Sequence, residues 1–255
     1  MTAALAATLA AAVVIGLLLG LLGGGGSILT VPVLVYLAGI EPKAAIAMSL
    51  FIVGATALVA LGAHARAGRV QWRTGVLFGA AGMAGAYAGG RIAEYLPGAV
   101  LLTGFALMMV LTAVAMIRRC KQCEANAEAV PRRRPVLKIL AEGAAVGMFT
   151  GLVGAGGGFL VVPALVILGG LSMPLAIGTS LLVIAAKSFA GLAGYLHSTT
   201  IDWPLTLGMT ALAVVGSLIG GRLVGRIDPA VLRRAFGWFV AVMGVALLAG
   251  QLTST

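Results

Sequence analysis

The sequence predicts an all-α integral membrane protein: two inverted repeats, each with four long transmembrane helices plus one short helix after a glycine run. Three observations carry that expectation. The first is composition: 61% of the 255 residues are hydrophobic and 9% are charged, with a mean hydropathy of +1.12. A soluble domain carries about 25% charged residues, so the solvent for this surface is lipid. The second is repetition. GLLGGGGSILTVP at 20–32 returns as GLVGAGGGFLVVP at 151–163, an offset of 131 residues from Pro32 to Pro163 (163 − 32). With that offset, residues 20–102 overlay 151–233 without a gap. Ser49 falls on Ser180, Trp72 on Trp203, and Gly89-Gly90-Arg91 on Gly220-Gly221-Arg222. About a third of the aligned positions are identical, so one unit is used twice. The third observation is the placement of charge, which sets the topology.

Apolar runs of spanning length lie near 3–22, 44–63, 74–93, 100–117, 137–153, 175–194, 205–224 and 235–251; about 20 such residues cross a bilayer as helix. No Lys or Arg precedes Lys43, so 3–22 reads as a retained span and not as a cleaved signal with its positive leading region. The segments 27–39 and 158–170 are shorter. At about 1.5 Å per residue each reaches about 20 Å, too little for a comfortable crossing of a ~30 Å core. Either each crosses as a short helix or each re-enters.

Lys and Arg concentrate in three loops: Arg66, Arg69 and Arg73; Arg118 to Lys138; and Arg222 to Arg234. If all three are cytoplasmic, an even number of crossings separates 138 from 222, and the short 158–170 segment must cross. Each half then has five crossings and the second half is upside down. The basic loop at 64–73 matches a neutral one at 195–203, the swap an inverted repeat requires. Both termini come out extracytoplasmic. The competing arrangement is a parallel repeat of four spans with two re-entrant hairpins. The organisation is a first transmembrane repeat at 1–117, a basic cytoplasmic linker at 118–136 and a second repeat at 137–255.

Glycines at every fourth place, Gly85/Gly89 and Gly216/Gly220 and more loosely Gly16/Gly20 and Gly75/Gly79, mark close helix contacts. The glycine runs themselves expose backbone N–H groups that protein, water or substrate must satisfy. The short helix after each run directs its N-terminal dipole at whatever sits there. This makes Gly24, Gly25, Gly26 and Ser27, with Gly156, Gly157 and Gly158, candidate anion ligands; tight packing at a helix crossing is the alternative. Pro32 and Pro163 either remove a hydrogen bond inside their helices or begin them. In the following helices, Ser49, Thr179 and Ser180 are candidate ligands, although such hydroxyls also bond their own helix carbonyls. Lys187 lies inside an apolar helix, a functional hypothesis by default, unless its stem snorkels to the interface.

Several chemistries are excluded or weak. No G-x-x-x-x-G-K-[ST] is present, so no P-loop supplies ATP energy. The net charge of +10 resides in short loops between spans, which is no nucleic-acid surface. Cys120-x-x-Cys123 supplies half a zinc site without a nearby histidine and reads as incidental. His64 and His197 do not occupy matching positions and sit at helix ends, where a histidine is unremarkable. Arg91 and Arg222 at helix C-termini suit the helix dipole. Glu142 reads as interfacial. No paired acids, Ser/His constellation or metal ligands stand inside the spans, so no enzyme is expected, and no metal or cofactor.

The ordered set of motifs, GLVGAGGGFLVVP, AIGTS at 176–180, Asp202-Trp203 and Gly220-Gly221-Arg222, with first-half counterparts AIAMS at 45–49, Gln71-Trp72 and Gly89-Gly90-Arg91, resembles the sulfite exporter TauE/SafE family over nearly the whole chain. The first half departs at Ala47-Met48, where the second has Gly178-Thr179, so any site is asymmetric. The resemblance implies a secondary transporter that moves a small anion, sulfite or an organosulfonate, across the bacterial inner membrane, in the direction of export and by alternating access. An uptake permease or a passive anion channel is the alternative. The partners expected are the small anionic substrate and the lipid bilayer, with no nucleic acid. A coupling proton or sodium ion and a homodimer stay open.

Overall fold

The computed structural model describes residues 2–93, 107, 110, 113, 114, 136–153, 158–195 and 200–224, and scattered positions from 226 to 245. The linker 118–135 with Cys120 and Cys123, the glycines Gly156 and Gly157, His197, and most of the spans expected at 100–117 and 235–251 lie outside the described residues. Among the described residues every regular element is helical. They are α1 (Thr2–Leu22), α2 (Gly25–Pro32) continued by a π-helical turn (Val33–Leu37), α3 (Pro42–Arg66), α4 (Trp72–Ala93), α5 (Val136–Val153), α6 (Gly158–Pro163) continued by a second π-helical turn (Ala164–Leu168), α7 (Met173–Tyr195) and α8 (Trp203–Val224). Four described stretches are long and apolar enough to cross a membrane: Leu5–Leu22, Ala44–Arg66, Met173–Ala193 and Trp203–Val224. α4 and α5 are 22 and 18 residues long. Val14, Leu58, Val76, Leu207 and Val215 are each more than half exposed, the outward face of a bundle solvated by hydrocarbon.

Local chemistry explains the element ends. Pro42 occupies the first helical position of α3, where a missing N–H costs nothing. α8 starts at an Asp202 cap: its Oδ1 accepts from the Leu205 N–H at 3.1 Å. Gln71 stands at the matching place before α4, where its Oε1 accepts from Thr74 Oγ1 at 3.0 Å. The prolines are interior, not initial. Pro32 and Pro163 each end an α-helical stretch, and the backbone shifts into a π-helical turn at once. A proline cannot donate and crowds the carbonyl four residues back, and a change of register relieves both. Both turns close alike. Ala38 N–H bonds Val33 O and Ile40 N–H bonds Leu34 O; Gly169 N–H bonds Ala164 O and Leu171 N–H bonds Leu165 O. Gly39 (φ +69°) and Gly170 (φ +60°) follow, in the left-handed conformation that ends a helix.

The helices meet through glycine. A methyl group placed on Gly16 would stand 2.6 Å from Ala213 Cα, and one on Gly147 would stand 2.7 Å from Gly82 Cα. One on Gly85 would meet Met148 N at 2.9 Å, and one on Gly216 would meet Leu17 N at 2.8 Å. In each pair of contacts the second is the first with both residues moved by the 131-residue offset. Without a hydrophobic drive between helices in lipid, such close backbone approach supplies the association energy by dispersion. Contacts advance in the same sense along α1 and α8 (Gly16 to Ala213, Gly20 to Ser217), along α4 and α5 (Phe78 to Gly143, Gly82 to Gly147) and along α4 and α7 (Gly75 to Thr179, Gly82 to Lys187). They also advance together along α3 and α8, from Phe51 against Trp203 to His64 against Gly221. Along α3 and α7 they run opposite: Leu50 meets Gly191 while Gly54 meets Ser188.

Candidate functional site

The two glycine-run segments touch. A methyl group on Gly158 would lie 2.7 Å from Ser27 Oγ and 3.2 Å from Ile184 Cδ1. Ile184 is the central residue of α7, so this contact sits at the mid-depth of that helix. Ser27 and Gly158 are also partners under the repeat offset, so each half brings the same position to the meeting point.

The surrounding candidates separate into groups. Gly24 and Ser27 belong to one turn: Ser27 Oγ donates to Gly24 O at 2.7 Å, and the Ser27 N–H reaches the same carbonyl at 3.3 Å. Ser180 lies beside the left-handed Gly23, 2.7 Å from where a Cβ would stand. Its hydroxyl donates to Ile177 O at 2.7 Å, and that of Ser49 donates to Ile46 O at 3.1 Å. In both, the proton turns back on the helix and the oxygen lone pairs face outward. Thr179 does something else: its Oγ1 accepts the Gln71 N–H at 3.0 Å and ties α7 to the start of α4. Gly26 packs against Ile15 and Leu19 of α1. Gly25 opens α2. Lys187 is partly buried, with its stem alongside α4 at Gly82.

Two residues were not singled out by their surroundings in the sequence. Thr56, the repeat partner of Lys187, is buried, and its Oγ1 has no hydrogen-bond partner among the described residues. His64, expected to be an unremarkable helix-end residue, is buried instead, because the packed faces of α1, α7 and α8 close over the last turn of α3. Thr56 carries a faint signal as the counterpart of a lysine; His64 carries none.

A bundle of apolar spanning helices whose two halves join through matched glycine-run segments defines a polytopic membrane protein of the repeat-built transporter class. Residues 8–247 match the family model described as Sulfite exporter TauE/SafE, and the chain belongs to that family. A "Probable membrane transporter protein" of Xylella fastidiosa strain 9a5c is 34% identical over 235 residues, covering 89% of this chain and 88% of that protein. The "Probable membrane transporter protein YdhB" of Bacillus subtilis strain 168 is 25% identical over 231 residues, covering 89% and 93%. A 112-residue stretch is 35% identical to the "Probable membrane transporter protein MJ0441" of Methanocaldococcus jannaschii, covering 42% and 41%. No solved structure matches this chain.

Proposed function

We propose that the protein is a secondary transporter that moves a small anion, a sulfur oxyanion or a sulfonate, out across the bacterial inner membrane by alternating access of an inverted repeat. The contact of Ser27 with Gly158 beside Ile184 carries this reading. Two broken segments that meet at mid-depth, at symmetry-related positions, are the form that a central substrate site takes in repeat-built transporters.

The contact senses support the inversion. α1 and α3 each run with α8, while α5 and α7 each run with α4, and α3 opposes α7. α5, α7 and α8 are the counterparts of α1, α3 and α4, so each element opposes its counterpart. A two-fold axis in the membrane plane produces that pattern. An anion is favoured because each short helix starts at a glycine run, where backbone N–H groups and the helix dipole attract negative charge; Ser180 with its repeat counterpart Ser49 joins the proposed ligand set, and Ser27 stands at the meeting point. Lys187 supplies positive charge on a helix lining it. Gly156 and Gly157, next to Gly158 in sequence, complete the proposed ligand set. The basic connection at 67–71 faces the cytoplasm in this arrangement, and both termini lie outside.

The test is flux. Purified protein in vesicles is screened with labelled sulfite, sulfoacetate, thiosulfate and sulfate. Saturable, mutually competitive movement of one or more of them is expected; saturable movement of a cation or a neutral sugar alone rejects the reading.

A further inference from the structure

His64 occupies a place that few buried histidines have. It is 1% exposed, in the last turn of α3. Three glycines surround it. A Cβ on Gly221 would stand 3.3 Å from its Nε2, a Cβ on Gly178 would stand 3.3 Å from its Cβ, and the Gly20 carbonyl lies 3.3 Å from Nε2. A carbonyl can only accept, so Nε2 carries the hydrogen and Nδ1 carries the lone pair. Nδ1 is buried and has no hydrogen-bond partner among the described residues. Such an acceptor has lost its water and gained nothing in exchange.

The groups that face the ring are few. α1 presents Gly20, α7 presents Gly178 and α8 presents Gly221, none with a side chain. The α3–α4 connection presents Arg69. Its N–H bonds the His64 carbonyl at 2.9 Å, and its guanidinium reaches Gly221 O at 3.4 Å. Under the repeat offset, Tyr195 and Thr200 replace His64 and Arg69, so the arrangement exists in one half only.

We propose that His64 Nδ1 is the proton-binding site that couples anion movement to protons. This rests on the transport reading above. A proton on Nδ1 creates a buried imidazolium beside the half-buried Arg69, two positive charges close together. Their repulsion is relieved when an anion occupies the adjoining pathway, so proton and anion each favour the binding of the other. The carried unit is the anion plus one proton, so export runs only where the outward anion gradient exceeds the inward proton gradient, and an acid exterior drives the same unit inward. The bond to Gly20, three residues before the left-handed Gly23, ties the protonation state to the segment that opens the glycine run.

The experiment uses the full chain in vesicles of phosphatidylethanolamine and phosphatidylglycerol, with the same four labelled anions. With acid outside by about one pH unit, wild type accumulates its anion up to about tenfold, and the accumulation collapses with an ionophore. His64→Gln, which keeps an N–H for Gly20, retains exchange of anion between equal pools but no longer accumulates it. Accumulation by His64→Gln at the wild-type level overturns the proposal.

A second measurement does not depend on that variant folding. The chain has two histidines, so ¹⁵N-histidine spectra of His197→Asn report His64 alone. The midpoint of its ring titration is expected to rise when the transported anion saturates the protein. A midpoint indifferent to the anion also overturns the proposal. If wild type moves none of the four anions, the transport reading fails by itself, and the titration with and without each anion still decides the proton site.

Discussion

Ser27 Oγ lies 2.7 Å from the place a Cβ would occupy on Gly158, although 131 residues separate them and each lies in the first turn of its own short helix. A methyl group placed on Gly158 would crowd that oxygen. The first expectation follows: Ser27→Cys with Gly158→Cys, in a background with Cys120 and Cys123 replaced by Ser, forms a disulfide under mild copper-phenanthroline oxidation. Ser27 Cβ is one bond from that Oγ, so the two Cβ atoms stand no farther apart than the ~3.5–4.5 Å that the bond tolerates. With a protease site placed in the 118–136 linker, the two halves stay joined on a gel until reduced. Separate halves after oxidation would show that the segments do not meet in the membrane.

Gly158→Ala tests the same contact by function. The added methyl meets Ser27 Oγ and the side chain of Ile184, and the serine cannot withdraw without losing its bond to Gly24. Flux should fall at least about tenfold, equivalent to about 1.4 kcal/mol, with protein level in the membrane preserved. A near-normal rate would make the glycine run a packing element alone.

Packing glycines should respond differently. At Gly16 a side chain would run into the Ala213 backbone, which has no rotamer to give. Gly16→Leu is expected to destabilise by about 3 kcal/mol or more, at or beyond the usual range for overpacking. Gly62, with nothing within 4 Å, is the control. Gly62→Leu removes a poor helix former from α3 and should leave stability unchanged or raised by up to about 1 kcal/mol. Unfolding midpoints in detergent separate the two; equal losses would contradict the packing derived from α1 and α8.

Lys187 lies three residues beyond Ile184 on α7. A charge near a low-dielectric pathway acts on an anion more strongly than one in water. Lys187→Met should raise the apparent KM for the transported anion about tenfold or more while kcat and protein level change less. An unchanged KM would leave the ammonium at the interface, acting only through its packed stem.

Inversion has its own readout. Ala67 and Ser198 are counterparts under the repeat offset. Single cysteines at the two places should label from opposite sides of the membrane with an impermeant maleimide, Ser198→Cys from outside and Ala67→Cys from inside. Labelling from the same side would demand a parallel repeat, with its axis along the membrane normal.

The sequence by itself determined the elements and the repeat. The length of an apolar run and glycine at four-residue spacing are properties of one helix alone, so α1, α3, α7 and α8 are legible without a partner. The pairing of Gly16 with Ala213 and of Gly216 with Leu17 is visible in sequence only as close-contact potential, because a glycine says that something approaches and not what. Tertiary structure alone decided the rest. Thr179 reads as a candidate ligand hydroxyl, and only the fold shows that its oxygen also accepts from Gln71, a residue 108 positions away. Ser49 and Ser180 turn their protons to their own helices, a choice between two acceptors that differ little in sequence. His64 is a lone histidine near a helix end, indistinguishable in the chain from a wetted one. It is buried because three glycines on three other helices converge on it, and convergence of distant segments leaves no local pattern to read.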